Sequence, residues 1–401
     1  MTSSEHRSEE RARSAAKAAP GGRARAEHVM TSSGQGLTGR RIVQVLATST
    51  GGVGTHVRAI LPGLTAAGAT VTVCGPPATD ELFGFRAAGF GFTPVRIASG
   101  LRPVADARAL LSLRSALRGA DLVHAHGLRA GLLSVLVRSA VPVVVTVHNA
   151  LLEPAGVKGG ISKALERLVV RGADVVLAAS LDLAEHARFL GGRDVRSTPV
   201  SAPALPEATR SRAEVRADLG MTETAPLLLA VGRLHPQKGY HTLLSAARHW
   251  RGRTDGLLVV IAGDGPLSAD LAERIAREHL PVRLLGRRSD VANLLAASDL
   301  VVLTSLWEAR ALVAQEALRA GRPLVATAVG GIPELAGHGA GILIPADDPA
   351  ALDAAVTGLL EDPARVAALV EAGLTAAAGW PTLEDTVGQL SALYVELLGS
   401  S

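Results

Sequence analysis

Short, almost continuous apolar runs punctuate the chain: RIVQVLA, TVTVCG, DLVHAHG, PVVVTVH and DVVLAAS in the first half, then PLLLAVG, LLVVIAG, VRLLG, DLVVLTS and PLVATAVG in the second. Runs of this length, apolar at successive positions, are strands covered on both faces, as in a parallel sheet. Between them apolar residues recur at helical spacing, as in THVRAILPGLTAAG, GLRAGLLSVLVRS, YHTLLSAARHW and ADLAERIARE. Strand and helix in alternation make repeated βαβ units, so the expected fold class is α/β with doubly wound, Rossmann-like parallel sheets.

The alternation stops once, over STPVSAPALPEATRSR (residues 197–212), where prolines stand among polar residues. A chain of 401 residues is also long for one core. Together these predict a Rossmann-like domain over 40–200, a linker over 201–220 and a second Rossmann-like domain over 221–379. Ligands of such sheets bind outside the carboxyl ends of the strands, so two carboxyl edges facing one central cleft are expected. The tail PTLEDTVGQLSALYVELLG, within 380–401, predicts an amphipathic helix that packs back toward the N-terminal domain. Its signals are Thr382 as N-cap, Glu384 and Asp385 in the first turn, and an apolar face of Leu383, Val387, Leu390, Leu393 and Leu397.

Residues 1–39, rich in Arg, Ala, Ser, Gly and Glu without an apolar core, are expected to be a disordered extension rather than a signal peptide, and Met30 is an alternative start. No later apolar run reaches about 18 uncharged residues, so no transmembrane helix is expected. The net charge of +4 and an aromatic content of 2% argue against a nucleic-acid platform, which needs basic runs interleaved with stacking rings. The single cysteine, Cys74, excludes an intrachain disulfide and a cysteine-built metal site, and makes a reducing cytoplasm the simplest setting.

The stretch ATSTGGVGTHV (residues 47–57) has the outline of a phosphate loop, with a strand, a glycine turn and a helix start. Thr55 and His56 stand where a Walker loop needs Lys and then Ser or Thr, and Gly51, Gly52 and Gly54 do not fit G-x-G-x-x-G. What remains is a turn whose backbone N–H groups can approach a ligand closely, or a plain strand-to-helix turn. Stronger signals lie in the second half. VGRLHPQKG puts Arg233 and Lys238 in the loop after a buried strand. SLWEARALVAQEALRAG spaces Glu308 and Glu316 as Glu-x7-Glu at a loop and its following helix, and AVGGIPELAGHG adds a strand, a glycine turn and Glu334.

Together with GGVGTHV, DLVHAHG and TVHN (146–149), in this order, these segments resemble the retaining glycosyltransferases of the family 4 type, with the GT-B fold, over residues 41 to about 398. The resemblance implies transfer of a sugar from a UDP- or GDP-sugar to an acceptor that the sequence does not identify, a lipid or cell-envelope glycan precursor being one option. By resemblance Gly51, Gly52 and Gly54 face the donor's diphosphate and sugar, Arg233 and Lys238 stabilise the leaving diphosphate, and Glu316 accepts from ribose hydroxyls. Glu308 contacts the transferred sugar with the loop Ala309, Arg310, Ala311 and Leu312, His148 stands near sugar and diphosphate, and His126 lines the acceptor side. Retention by front-face attack is implied, with the departing phosphate oxygen as base, no cofactor and no metal.

The chain departs from the family where Glu308-Ala309-Arg310-Ala311 replaces Glu-Gly-x-Gly, giving a bulkier loop in which Arg310 could alter sugar choice or seek an anion. Val200-Ser201-Ala202-Pro203 likewise replaces an Asn-Gly-x-Asp segment. Three other readings are open. His124 and His126 alternate on one strand and His148 ends the next, a spacing that would also suit a metal hydrolase. A sugar-nucleotide epimerase of the same fold, or a catalytically silent sugar-nucleotide binding protein, would share the architecture. The intact Arg-Lys and Glu-x7-Glu set favours the transferase. Residues 149–171 place Lys158, Lys163, Arg167 and Arg171 beside Leu151, Leu152, Leu165, Leu168 and Val169. That composition suits an ordinary surface helix, or one resting on an anionic membrane as a peripheral contact at the inner face.

Overall fold

The computed structural model describes residues 36–49, 51–98, 100–137, 140–148, 157–198, 200–202 and 204–399. The expected disorder of the first residues, the alternative start at Met30, and Asn149, Leu151 and Leu152 of the segments singled out above fall outside the described residues.

Two parallel sheets form the molecule. The first is ordered β3-β2-β1-β4-β5-β6-β7, from β1 (Arg41–Leu46), β2 (Thr70–Gly75), β3 (Gly91–Pro94), β4 (Leu122–His126), β5 (Val143–Val147), β6 (Val175–Ala178) and β7 (Val195–Ser197). The second is ordered β10-β9-β8-β11-β12-β13, from β8 (Leu227–Val231), β9 (Leu258–Ala262), β10 (Val282–Gly286), β11 (Leu300–Leu303), β12 (Leu324–Thr327) and β13 (Ile342–Ile344). In each sheet the winding reverses beside the first strand, between β1 and β4 and between β8 and β11, which opens a crevice at the carboxyl ends of those strands. The central strands are apolar at successive positions because helices cover both faces: Val43 and Val45 face one core cluster while Ile42 and Leu46 face another. The expected doubly wound class is therefore the one observed.

The chain leaves the first sheet after β7 and enters the second domain through the Arg212–Asp218 helix, whose N-cap Ser211 forms a capping box with Glu214. It returns through the Leu383–Gly399 helix. Here Thr382 and Asp385 exchange hydrogen bonds as a second such box, and Leu390, Leu393 and Tyr394 are buried in the first domain's core. Gly63 of the Gly52–Ala66 helix lets this returning helix approach closely, since a Cβ there would lie 2.7 Å from Val387. By length and composition alone Pro363–Gly399 could cross a membrane. It is two helices, Pro363–Ala378 and Leu383–Gly399, parted around Pro381.

Candidate active site

Two helix N-termini meet across the cleft between the sheets. After β1 the chain turns so that the Gly52–Ala66 helix begins at the switch point, with N-cap Gly51 supplying no side chain to cap it. Ser49 Oγ accepts the Gly54 N–H at 3.2 Å, and a Cβ on Gly54 would sit 2.1 Å from the Phe83 ring, so the position is closed to any side chain. After β11 the Leu312–Arg319 helix begins at Ala311, again without a side-chain cap. A Cβ built on Gly52 would be 3.4 Å from Leu312 Cδ1, which puts the two helix starts in contact distance. Apart from the Gly54 N–H held by Ser49, the first-turn N–H groups lack a side-chain cap, and the positive end of each helix dipole lies there, an arrangement that favours an anion.

Cations and carboxylates stand in the loops after the neighbouring strands β8 and β11, at the same edge of the second sheet. The loop after β8 runs through Arg233 into the one-turn helix Pro236–Lys238, closed by Gly239 at φ +61°. A Cβ on Gly239 would strike Thr304 O at 1.9 Å, so glycine is required twice over, by conformation and by space. This packs the Lys238 turn against the loop after β11. There Lys238 Nζ pairs with Glu308 Oε1, and Ser305 Oγ donates to the same oxygen at 2.7 Å. Glu308 is 7% exposed. Its backbone is braced by Gly330 and Gly331, whose absent Cβ atoms would lie 1.8 Å from the Glu308 and Ala309 carbonyl oxygens. Arg233 is exposed and its side chain has no hydrogen-bond partner among the described residues. Burial, then the charges of Arg233 and Lys238, push the His235 pKa down. On the next turn Glu316 is half-buried, and burial pushes its carboxyl upward against the opposing charge of Arg319.

The structure accounts for the departures at 309–311. Ala309 packs in an apolar cluster between the domains with Ala178, Ala179, Leu183, Ala184, Val200 and Trp307. Ala311 is buried in the second domain's core. Arg310 lies over Trp380, its Cζ 5.9 Å from the ring centroid, and Arg319 stacks on the same ring at 5.7 Å. The Arg310 Nε is buried without a partner among the described residues, and burial lowers its guanidinium pKa while Glu334 opposes that shift.

The histidines form a separate layer beneath the cleft. His124 Nδ1 and Nε2 are 2.6 Å from Tyr394 OH and Thr146 Oγ1, while His126 Nδ1 and Nε2 are 3.1 Å from His148 Nε2 and 2.7 Å from Gln44 Oε1. His56, from the glycine-turn helix, stands edge-on to His148 with centroids 5.7 Å apart. Burial lowers the pKa of all four, His56 to about 4 and His124 to about 3, with His126 and His148 well below the ordinary value, so the cluster is neutral. Among the described residues no three His, Cys, Asp or Glu side chains are grouped to hold a metal ion. Gln44, His56 and Tyr394 were not singled out above; a polar residue in the middle of RIVQVLA was the available signal.

The domains are latched beside this site. Trp307 Nε1 donates to Asp182 at 3.0 Å, and Glu334 accepts the Leu181 N–H at 2.7 Å, supplying from one domain the N-terminal cap of the Leu181–Phe189 helix in the other. Gln315 bonds the linker through Ala202 N at 2.9 Å and Val200 O at 3.0 Å, Arg319 donates to Ala202 O at 2.7 Å, and Ser201 Oγ donates to Pro381 O at 2.6 Å.

Residues 51–203 match the family model described as a glycosyl transferase 4-like domain, and residues 211–375 match that of glycosyl transferases group 1. A glycogen synthase of Mycobacterium tuberculosis (strain H37Rv) is 30% identical over 379 residues, spanning 85% of this chain and 90% of that protein. A D-inositol 3-phosphate glycosyltransferase of Kineococcus radiotolerans is 34% identical over 298 residues, 64% of this chain and 67% of its own length. Among solved structures, Anabaena Alr3699/HepE in complex with UDP-glucose superposes with a TM-score of 0.74 at 22% identity, covering 90% of this chain and 100% of that one. These relatives do not favour the epimerase or the silent binding protein. Sequence matches over both halves, on two facing Rossmann-like sheets, place the chain in the family 4 type glycosyltransferases of GT-B fold, enzymes that act on nucleotide sugars.

Proposed function

We propose that the protein transfers a sugar from a UDP-sugar, in preference to a GDP-sugar, with retention of anomeric configuration and without a metal ion. The observation that carries this reading is the meeting of two helix N-termini at Gly52 and Leu312, neither capped by its own N-cap side chain, at the strand ends whose loops carry Arg233, Lys238 and Glu308. Breaking the glycosyl–phosphate bond builds negative charge on the diphosphate, and fixed dipoles and cations in a narrow cleft stabilise it without rearranging. Arg233 is free to meet that charge, and Lys238 exchanges part of its pairing with Glu308 for the phosphate. Glu308 then contacts the sugar, Glu316 accepts from ribose, whose vicinal diol suits a carboxylate, and His148 borders the sugar. The departing phosphate oxygen takes the acceptor's proton on the same face. The UDP preference draws support from the UDP and UDP-glucose complexes of the Anabaena neighbour. The relatives' names point to different acceptors, a glucan and an inositol phosphate among them, so they do not select one for this chain.

The test is a thermal-shift panel of UDP, GDP, ADP and their common sugars in EDTA. A ligand at 100 times its dissociation constant stabilises the native state by ~2.7 kcal/mol. At roughly 2 to 4 °C per kcal/mol for domains of this size, uridine nucleotides should stand out by several degrees. No nucleotide effect in EDTA, with a response to Zn2+ or Mg2+ in a parallel EDTA-free series, would overturn the reading.

A further inference from the structure

The buried histidine layer is a single chain of hydrogen bonds, and its direction can be worked out. Each neutral imidazole has one N–H and one lone pair, a carbonyl oxygen only accepts, and a tyrosine has one proton to give. Burial keeps these rings neutral. Gln44 Nε2 donates to Tyr394 OH at 3.2 Å, which turns Gln44 Oε1 toward His126 Nε2 at 2.7 Å. The proton of His126 is therefore on Nε2, and its Nδ1 is a lone pair. The 3.1 Å bond between that Nδ1 and His148 Nε2 must then be donated by His148. On the other side, Tyr394 OH is buried and its partner besides Gln44 among the described residues is His124 Nδ1, so its proton goes there, and His124 passes the Nε2 proton to Thr146 Oγ1. Five bonds run one way, from His148 through His126, Gln44, Tyr394 and His124 to Thr146.

We propose that Gln44 and Tyr394 are positioning residues: they fix the proton of His148 on Nε2, so that this ring meets the donor with a bare Nδ1 lone pair as a hydrogen-bond acceptor. The donor contact rests on the function proposed above; the proton placement rests on the hydrogen-bond geometry, the Gln44 amide orientation and the burial that keeps the rings neutral. Among the described residues no hydrogen bond reaches His148 Nδ1, which is open to a ligand, while the buried nitrogen of this layer left without a partner is His56 Nδ1. Running the chain the other way needs a half-turn of the Gln44 amide and of every proton along it, including that of Tyr394, which is fully buried on the C-terminal helix. A residue remote from the cleft thereby decides whether the site offers an acceptor or a donor at this point.

The test uses the full chain labelled with 15N at the histidine rings, whose protonated and bare nitrogens are well separated by NMR, alongside turnover of the sugar nucleotide giving the largest shift in the panel above. In the wild type, His126 and His148 are expected protonated at Nε2. Gln44→Met removes the acceptor, so His126 and His148 both reverse and His148 carries its proton on Nδ1. The kcat should fall by roughly 10^2-fold, the scale of one misdirected hydrogen-bonding group, with a smaller change in KM. Tyr394→Phe, which frees the Gln44 amide to turn, should show both tautomers and an intermediate loss, and it carries the test if Gln44→Met does not fold. A wild-type His148 protonated at Nδ1, or tautomers unmoved in both variants, would overturn the proposal. Reversed tautomers with unchanged turnover would leave the relay standing and remove His148 from the donor site instead.

Discussion

Acidification from pH 7 to pH 5 is expected to destabilise the N-terminal domain by about 4 kcal/mol through His56 and His124 alone. Both rings are buried and neutral in the native state, with pKa values lowered to about 4 and about 3, against 6.5 for an unhindered ring. As the pH falls below 6.5 the unfolded chain takes up two protons that the folded chain refuses. The stability these rings allow is therefore complete above 6.5 and is lost progressively down to the folded pKa values. At pH 5 each ring costs about 2 kcal/mol, and between pH 6 and 5 the slope approaches ~2.7 kcal/mol per pH unit for two protons. His126 and His148 shift in the same direction, so two protons is a lower bound. Asp194, which Arg196 holds below the ordinary 3.8, contributes only further down, whereas Glu316 of the other domain, which burial pushes upward, opposes the histidines by gaining stability as the pH falls. Urea unfolding followed by far-UV circular dichroism at closely spaced pH values measures the slope, and His56→Leu should lower it by one proton, ~1.4 kcal/mol per unit. A flat or inverted slope between pH 6.5 and 5 would mean that the rings titrate in water and that the neutral layer does not exist.

Arg233→Ala should cut turnover by ~10^2 to 10^3 with little change in melting temperature, because it acts on charge that appears only as the bond breaks. Lys238→Ala should cut turnover as far and also lower the melting temperature, because it leaves the buried Glu308 without its cation; near-normal turnover in either would remove it from the leaving-group role. Glu316→Ala should weaken binding of UDP itself, whereas Glu308→Gln should spare UDP and weaken the sugar nucleotide. Calorimetry with both ligands separates these, and equal losses in both variants would end that division. Gly331→Ala inserts a methyl 1.8 Å from the Ala309 carbonyl and 2.9 Å from Ser180 Cβ of the other domain. It should lower the melting temperature and abolish turnover together, and a folded, active Gly331→Ala enzyme would show that the Glu308 loop moves freely.

Ten apolar runs in the sequence coincide with strands; nine of those strands are covered on both faces and leave no alternation to misread, while β10 is an edge strand fully covered only at Val282. β3, β7 and β13 escaped the pattern. Each is three or four residues long at a sheet edge, where β3 and β7 have no residue fully covered and nothing demands an apolar run. At the candidate site, the places of Arg233, Lys238 and Glu308 in loops after buried strands, and of Glu316 on the helix that follows, were legible from the alternation of strand and helix. The polar layer was not. His124 and Tyr394 are 270 positions apart, and helical spacing alone marks Tyr394 as one more core residue. The meaning of Ala309 and Ala311 also needed coordinates, since their methyls are taken up by packing that no local pattern encodes.

The two chain crossings between the domains are ordinarily where such a molecule would bend. Here the outgoing one is fastened at Val200 and Ala202 by Gln315 and Arg319, and joined to the returning one through Ser201 and Pro381. Gln315 and Arg319 flank Glu316 on a single short helix. Bending at 200–202 would therefore mean releasing three hydrogen bonds from the helix that carries the carboxylate proposed for ribose. Rotation that keeps those bonds must carry this helix with it. The crossing behaves as a lever rather than a hinge, so cleft width and the position of Glu316 are one mechanical variable.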